Sequence, residues 1–255
     1  YLTNLQAYSE QLTQQKGKQP TYFIQTFGCQ QNENDSEIIA GIMDASGFAL
    51  VDNYEIADIS IINTCSIREN ADTRLFGHLG ILKTLQQKNP QRFTILCGCM
   101  MTQDQHLEKI KKSFAFVNLV FGPHDIFRLP QLLWDSLVNE KRVVAVSKQN
   151  LMVEQEYLPI TRSRKFRALV SIMYGCNNFC TFCIVPYTRG RELSRSFTSI
   201  YQEIIGLAKD GYTEIMLLGQ NVNAWGKDFR GIVEGPKNFA ELLETVAQID
   251  GLTRI

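Results

Sequence analysis

The sequence predicts an α/β chain: a parallel sheet with covering helices, followed by a second and separate β/α segment. Three observations carry this expectation. Short apolar runs alternate with amphipathic runs four times between residues 20 and 140. Cys29, Cys65 and Cys99 each follow a predicted strand and precede a predicted helix. After a stretch of weak pattern, a new strand runs straight into a loop with three more cysteines, Cys176, Cys180 and Cys183.

Taken in order, residues 1–19 are Gln-rich and read as a flexible tail. Thr21 to Phe27 reads as the first strand. Glu37 to Ala45 reads as a helix, with Ile38, Ile39, Ile42 and Met43 on one face and Gly47 just beyond its end. Asp58 to Thr64 is the next strand and Arg68 to Gln87 the next helix. Phe93 to Leu96 leads to a helix from Gln103 to about Ser113, and Phe116 to Phe121 to a helix from Ile126 to Leu137. Alternation at this spacing argues for a Rossmann- or flavodoxin-like parallel sheet over residues 20–140. Residues 141–161 read as a linker, and residues 162–255 as the second domain. There Phe166 to Met173 and Glu214 to Leu218 read as strands, and Thr198 to Lys209 and Phe239 to Ile249 as helices. Leu252 to Ile255 looks like the opening of another strand.

Composition narrows the class. The chain has 255 residues, enough for two domains, with 26 basic and 26 acidic side chains. The bulk charge therefore names no partner. Residues 1–20 hold no apolar core of a signal peptide, and no run is long enough to span a membrane. The seven cysteines are better read as reduced thiols or metal ligands than as a disulfide framework. The expectation is a cytoplasmic protein with no membrane partner.

Cys176, Cys180 and Cys183 form a Cys-x3-Cys-x2-Cys run. Three thiolates on one loop leave a metal centre one ligand short. No histidine lies beyond residue 124 to complete a tetrahedral zinc site. A four-iron cluster held by three cysteines, with one iron open, fits the spacing. A zinc knuckle that borrows a cysteine from elsewhere and a plain structural loop are the competing readings.

The first three cysteines point the same way. Strands of a parallel sheet direct their C-terminal ends to one rim, so Cys29, Cys65 and Cys99 should converge there, facing helix N-termini. Asn34/Glu37, Ser66/Glu69 and Thr102/Gln105 have capping-box spacing. The competing reading is that these cysteines are small core residues. Cys97 lies two before Cys99 and would share its face in a regular strand; packing is its expected role. Gln30, Asn32, Asn34 and Asp35 beside Cys29 either orient a cluster or substrate, or simply make turns and caps. His78, His106 and His124 show no ligand spacing.

The stretch Tyr174-Gly-Cys-Asn-Asn-Phe-Cys-Thr-Phe-Cys183, continuing Ile-Val-Pro-Tyr-Thr-Arg-Gly-Arg-Glu192, resembles the radical S-adenosylmethionine (SAM) methylthiotransferase family. Thr26-Phe-Gly-Cys-Gln-Gln-Asn-Glu-Asn-Asp-Ser36, Asn63-Thr-Cys-Ser-Ile-Arg-Glu-Asn-Ala71 and Gly98-Cys-Met100 are similar to that family's N-terminal domain. The resemblance implies that residues 20–140 carry an auxiliary cluster, and that residues 162–255 are the N-terminal part only of a radical SAM partial (β/α)6 barrel. It implies two [4Fe-4S] clusters, one on Cys176, Cys180 and Cys183 and one on Cys29, Cys65 and Cys99. SAM would chelate the open iron of the first and be cleaved to a 5′-deoxyadenosyl radical. Phe182 would sit near its adenine. Gln220 and Asn221, after the second barrel strand, would bind the SAM amino group or the substrate.

The details look most like the branch acting on isopentenyl-adenosine in tRNA. That implies sulfur and methyl insertion at C2 of N6-isopentenyladenosine at position 37. The alternatives are relatives acting on threonylcarbamoyladenosine in tRNA or on a ribosomal-protein aspartate. A non-catalytic iron–sulfur RNA-binding module is the alternative of another class. Arg162, Arg164, Arg189, Arg191 and Arg195 surround the cysteine loop and are candidate RNA contacts. The further partners implied are an electron donor protein and a sulfur or cluster donor, acting on a monomer. A barrel open after two strands suggests a piece of a longer protein.

Overall fold

A computed structural model describes residues 1–66, 71–147, 158–231 and 234–255. It divides into two compact units, residues 1–147 with 158–161, and residues 162–255.

The first unit is built on a six-stranded parallel sheet. Its strands are β1 (Thr21–Thr26), β2 (Ala49–Leu50), β3 (Ile59–Thr64), β4 (Phe93–Gly98), β5 (Leu119–Phe121) and β6 (Val143–Ala145), in the order β2-β1-β3-β4-β5-β6. Every residue of β3 and β4 is buried. That is the state of central parallel strands covered on both faces, and it explains why both are mostly apolar. One face packs Ile59, Ile61, Ile95 and Phe121 against α2 (Gln30–Ala45) and α5 (Leu129–Leu133). The other packs Ile62, Leu96 and Val120 against α3 (Ala71–Lys88) and α4 (Asp104–Ser113).

The structure corrects several sequence expectations. Residues 1–19 are not a flexible tail: Leu2–Lys16 form a helix, α1. Leu5 is fully buried in the first core, and the Ser9 hydroxyl donates to the Gly47 carbonyl at 2.6 Å. With only Leu5 and Ser9 buried, this helix carries too thin an apolar stripe to be read from periodicity.

α2 begins at Gln30, directly after Cys29, and not at Glu37. Its first two turns bury Gln31, Asn32, Asn34, Asp35 and Ser36, so apolar patterning cannot reveal them. Asn34 therefore lies inside α2 and not at its N-cap position, which Cys29 occupies. Thr102 is not a cap either: its hydroxyl donates to the Cys99 carbonyl at 2.7 Å, and Gln103 precedes α4 without a side-chain cap. The Ser66/Glu69 pairing falls outside the described residues at Glu69.

Residues 141–161 are not only a linker, since β6 completes the sheet and Thr161 docks on α2. The Thr161 N–H donates to the Glu37 carbonyl at 3.0 Å. Both edge strands are short, and both escaped the sequence reading.

The second unit carries β7 (Arg167–Ser171) and β10 (Glu214–Leu218), paired in parallel with Leu169 opposite Met216. Between them the chain forms β8 (Met173–Tyr174), α6 (Val185–Thr188), β9 (Leu193–Ser194) and α7 (Phe197–Lys209). α8 (Phe239–Ala247) follows β10. Asn238 caps α8, its side chain accepting from the Glu241 N–H, and Ser196 caps α7 the same way from Ser199. Arg254 forms a parallel bridge to Glu214, so the strand expected at Leu252 to Ile255 makes one pairing on β10. The core is Ala168, Val170, Ile200, Ile204, Trp225, Leu242 and neighbours, packed on one face of the strand pair.

Candidate functional sites

The first site lies at the C-terminal rim of the parallel sheet. Cys29 directly precedes α2, Cys65 directly follows β3, and Cys99 directly follows β4. The structure brings all three around one side chain, Asn32, which is fully buried. The Cys29 thiol faces Asn32 Oδ1 at 3.6 Å, and the Cys99 thiol faces the same oxygen at 3.9 Å. The two sulfurs can be no further apart than these distances added together. Cys65 closes the third side: a Cβ built on Gly28 would lie 2.8 Å from Cys65 Cβ and 3.1 Å from Asn32 Cγ. Gly28, at φ 137°, leaves that space open.

A second row of polar groups fixes Asn32. Its Nδ2 donates to the carbonyl of Thr64 at 2.7 Å, to that of Phe27 at 3.2 Å and to Asn63 Oδ1 at 3.2 Å. Asn63 Nδ2 donates to the Asn32 carbonyl at 3.0 Å and to Ser36 Oγ at 2.9 Å, and Ser36 meets the Thr26 hydroxyl at 2.7 Å. Sequence reasoning missed Asn63 and Thr64 in this role. The available signal was two consecutive polar residues ending a strand that is otherwise apolar but for Ser60.

Cys97 does not join the set. It lies in the first core, among Ile95, Leu119 and Phe121. Burial, then the charges of Asp35 and Cys99, push its thiol well above the usual range. The expected common face with Cys99 fails because β4 ends at Gly98, φ 99°, and a 3-10 turn begins at Cys99. Packing, the role expected for Cys97, is where the structure puts it. Among the described residues, no three His, Cys, Asp or Glu side chains close on one point as a single ion would require. A multi-iron core holds its thiolates further apart than one ion does. Three cysteines that gather at one rim without closing on a point fit such a core.

The second site is the loop 175–192, whose ends are joined by antiparallel pairing of Met173 with Ser194 and Tyr174 with Leu193. Cys176 is buried, Cys180 exposed and Cys183 half-buried. The Cys176 N–H donates to the Gly190 carbonyl at 3.1 Å, and the Cys183 N–H to the Cys180 carbonyl at 2.9 Å. Gly175 is required here: it has φ 73°, and a Cβ would stand 2.1 Å from the Arg191 carbonyl oxygen. Phe179 adopts φ 46°, unusual for an aromatic residue, and packs edge-on against Tyr187.

Gln220 and Asn221, at the end of β10, reach this loop from beneath. Gln220 Oε1 accepts from the Gly175 N–H, and Asn221 Nδ2 donates to Glu192 Oε1 at 3.1 Å. Phe182 is 96% exposed beside Cys183. Three soft donors within the eight residues from Cys176 to Cys183, in a unit whose sequence holds no histidine, fit a three-cysteine cluster.

The candidate arginines separate into two groups. Arg162 pairs with Glu203 at 2.6 Å, and Arg195 pairs with the other oxygen of the same carboxylate at 2.8 Å. Their side chains are 8% and 9% exposed. Arg189 is 2% exposed. Arg164 and Arg191 are exposed, the Arg191 guanidinium lying 5.8 Å from the Phe179 ring centre. Sequence reading missed Glu203, a carboxylate on α7 that is remote in sequence from Arg162.

Comparison with known proteins finds a separate family match in each unit. Residues 21–122 match the model of the uncharacterized protein family UPF0004, and residues 170–254 that of the Radical SAM superfamily. The tRNA-2-methylthio-N(6)-dimethylallyladenosine synthase of Lachnoclostridium phytofermentans is 48% identical over 94% of this chain and 51% of its own length. Proteins of the same name from Clostridium tetani and Geobacillus kaustophilus are 46% and 47% identical over 94% and 92% of this chain, and over 52% and 43% of their own. The chain thus spans about half the length of the curated relatives it matches.

Among solved structures, the radical SAM methyltransferase TsrM of Kitasatospora setae superposes with a TM-score of 0.50 at 12% identity, over 80% of this chain and 48% of its own. That is a likeness of fold alone. Residues 21–122 thus match the UPF0004 family and residues 170–254 the Radical SAM superfamily, and 94% of the chain aligns with a tRNA-2-methylthio-N(6)-dimethylallyladenosine synthase.

Proposed function

We propose that the protein of which this chain forms part is a radical SAM methylthiotransferase acting on tRNA. Its product would be 2-methylthio-N6-isopentenyladenosine, formed at C2 of N6-isopentenyladenosine at position 37. The observation that carries this reading is the meeting of Cys29, Cys65 and Cys99 around Asn32, in a chain whose second unit bears the three-cysteine loop. One such site would serve an electron carrier. Two, each with three cysteines, suit a reaction that needs both a radical and a sulfur source. When bound, two [4Fe-4S] clusters and SAM supply that radical, the sulfur and the methyl group.

This chain's residues then have separable tasks. Cys176, Cys180 and Cys183 would hold one core, whose chemistry with SAM is the source of the radical. Gln220, Asn221 and Glu192 hold the loop in shape from beneath. Phe182 offers an exposed ring beside the last cysteine, suited to an adenine face. Cys29, Cys65 and Cys99 bind the second core in a water-poor rim. Arg164 and Arg191 are exposed and suit phosphate contacts, while Arg162 and Arg195 support the unit from within through Glu203.

The C2–H bond of an adenine is inert to acid–base chemistry, which accounts for the lack of a catalytic dyad in this reading. The base would leave its stack to be reached. The partners are a tRNA, an electron donor protein and a sulfur or cluster donor, and we assign the enzyme to the cytoplasm as a monomer. Nucleoside analysis of tRNA from cells lacking the full-length gene tests the proposal. The expected result is loss of the 2-methylthio group with the isopentenyl group retained. Retention of both groups in such cells rejects it.

A further inference from the structure

We propose that Asn32 is the positioning residue of the three-cysteine site: its carboxamide sets the direction of Cys29 and Cys99 toward one shared core and tunes the potential of that core. The inference rests on the reading of Cys29, Cys65 and Cys99 as cluster ligands and adds a role to a residue beside them.

The orientation of the carboxamide is dictated by its partners. Nδ2 faces two backbone carbonyls, those of Thr64 and Phe27, at 2.7 and 3.2 Å. Carbonyls only accept, so a flipped carboxamide would set oxygen against oxygen at both. The oxygen Oδ1 must therefore point the other way, and there it meets the sulfurs of Cys29 and Cys99. Cys65 borders the same space, which Gly28 leaves open. Asn32 Cγ would lie 3.1 Å from a Cβ on Gly28, and that same Cβ would lie 2.8 Å from Cys65 Cβ. One side chain is thus wedged among all three cysteines and locked from behind by Asn63, whose own amide is held by Ser36.

Two consequences follow. First, Asn32 couples β3, β4 and α2, so the two thiols at 3.6 and 3.9 Å share one reference point before any metal arrives. Second, the negative end of the carboxamide dipole faces the sulfurs. That disfavours an added electron on a core they hold, because hydrogen bonds and dipoles at the sulfurs set cluster potentials. Removing the carboxamide should therefore raise the potential.

A purely structural role for Asn32 would behave differently from a positioning role, and Ser36 supplies the comparison. Ser36 belongs to the same hydrogen-bonded network, one step behind Asn63, on the side away from the sulfurs. The test uses the full-length protein with Cys176, Cys180 and Cys183 changed to alanine, reconstituted anaerobically with iron and sulfide. Iron content, electron paramagnetic resonance and midpoint potential then report the first site alone.

We expect Asn32→Ala to raise the midpoint potential, alter the spectrum and at least halve the iron retained against a chelator. Ser36→Ala should lower thermal stability while leaving potential and spectrum unchanged. Should Asn32→Ala not fold, Asn32→Ser should give the same direction of shift. A wild-type potential and spectrum in the folded Asn32 variant overturns the proposal, as does an equal shift in Ser36→Ala. If the parent protein binds no iron at all, the cluster reading of these cysteines falls and the role of Asn32 with it. Iron bound by the parent and unaltered in the Asn32 variants removes only the role of Asn32.

Discussion

Asn177 and Glu192 grip each other across the cysteine loop. The Asn177 N–H donates to Glu192 Oε1 at 3.1 Å, and the Glu192 N–H donates to Asn177 Oδ1 at 3.2 Å. Two residues fifteen apart in sequence thus close the segment that carries Cys180 and Cys183, and Asn221 braces the same carboxylate from β10. Glu192→Ala should open this closure at a cost of about 1–2 kcal/mol, reduced from the buried value because the pair is partly exposed. Hydrogen exchange of residues 175–192 in the metal-free protein should quicken in Glu192→Ala. Glu192→Gln, which keeps an acceptor oxygen, should fall between the two. An unchanged exchange pattern would show that the clamp does not hold the loop.

Glycines in the first unit give a matched pair of opposite sign. A Cβ at Gly98 would lie 2.3 Å from the Thr64 carbonyl oxygen and 2.4 Å from Asn63 Oδ1, at φ 99°. Gly98→Ala should destabilise by at least about 2 kcal/mol through strain and collision. It should also reduce iron binding at Cys99. Gly77 sits on an exposed turn of α3 with nothing within 4 Å of such a Cβ. Gly77→Ala should stabilise by about 0.5–1 kcal/mol, by helix propensity and a less flexible unfolded chain. Urea unfolding of both variants measures the contrast.

The two arginine groups should separate stability from RNA binding. Glu203→Ala leaves Arg162 and Arg195 without their shared carboxylate, at a cost of about 2–4 kcal/mol, at or below the range for breaking a buried pair. Arg164→Ala should change stability by less than about 0.5 kcal/mol, as expected of an exposed site. In the full-length protein it should weaken tRNA binding and lower the salt slope by about 1, as loss of one phosphate contact does. Filter binding at several salt concentrations decides this, and an unchanged slope removes Arg164 from the interface.

Cys97 and Cys180 should mark the extremes of thiol reactivity. Cys180 is exposed, whereas burial and nearby negative charge raise the Cys97 thiol well above the usual range. The thiolate is the reactive form, so at mildly alkaline pH Cys97 stays protonated and shielded. In metal-free protein, alkylation followed by mass spectrometry should find Cys180 modified first and Cys97 last. Cys97→Ala should cost about 1–2 kcal/mol as a core truncation. Its iron content should equal that of the wild type, and a fall in iron would make Cys97 a ligand.

The sequence alone determined the class of fold and the spacing of the cysteines. β3 and β4 announced themselves as mostly apolar runs, because central parallel strands are buried on both faces. The three-cysteine spacing within residues 176–183 is local, and local spacing survives folding unchanged. Tertiary structure alone decided the rest. α1 is held by Leu5 and Ser9, too few contacts to leave a periodic trace. The start of α2 is polar because its amides satisfy the end of the sheet rather than water, a pattern that reads as loop in one dimension. That Asn32 stands between Cys29 and Cys99, and that Glu203 binds both Arg162 and Arg195, depends on groups far apart in the chain. Buried polar groups choose partners by position in space, and composition and periodicity carry no record of that choice.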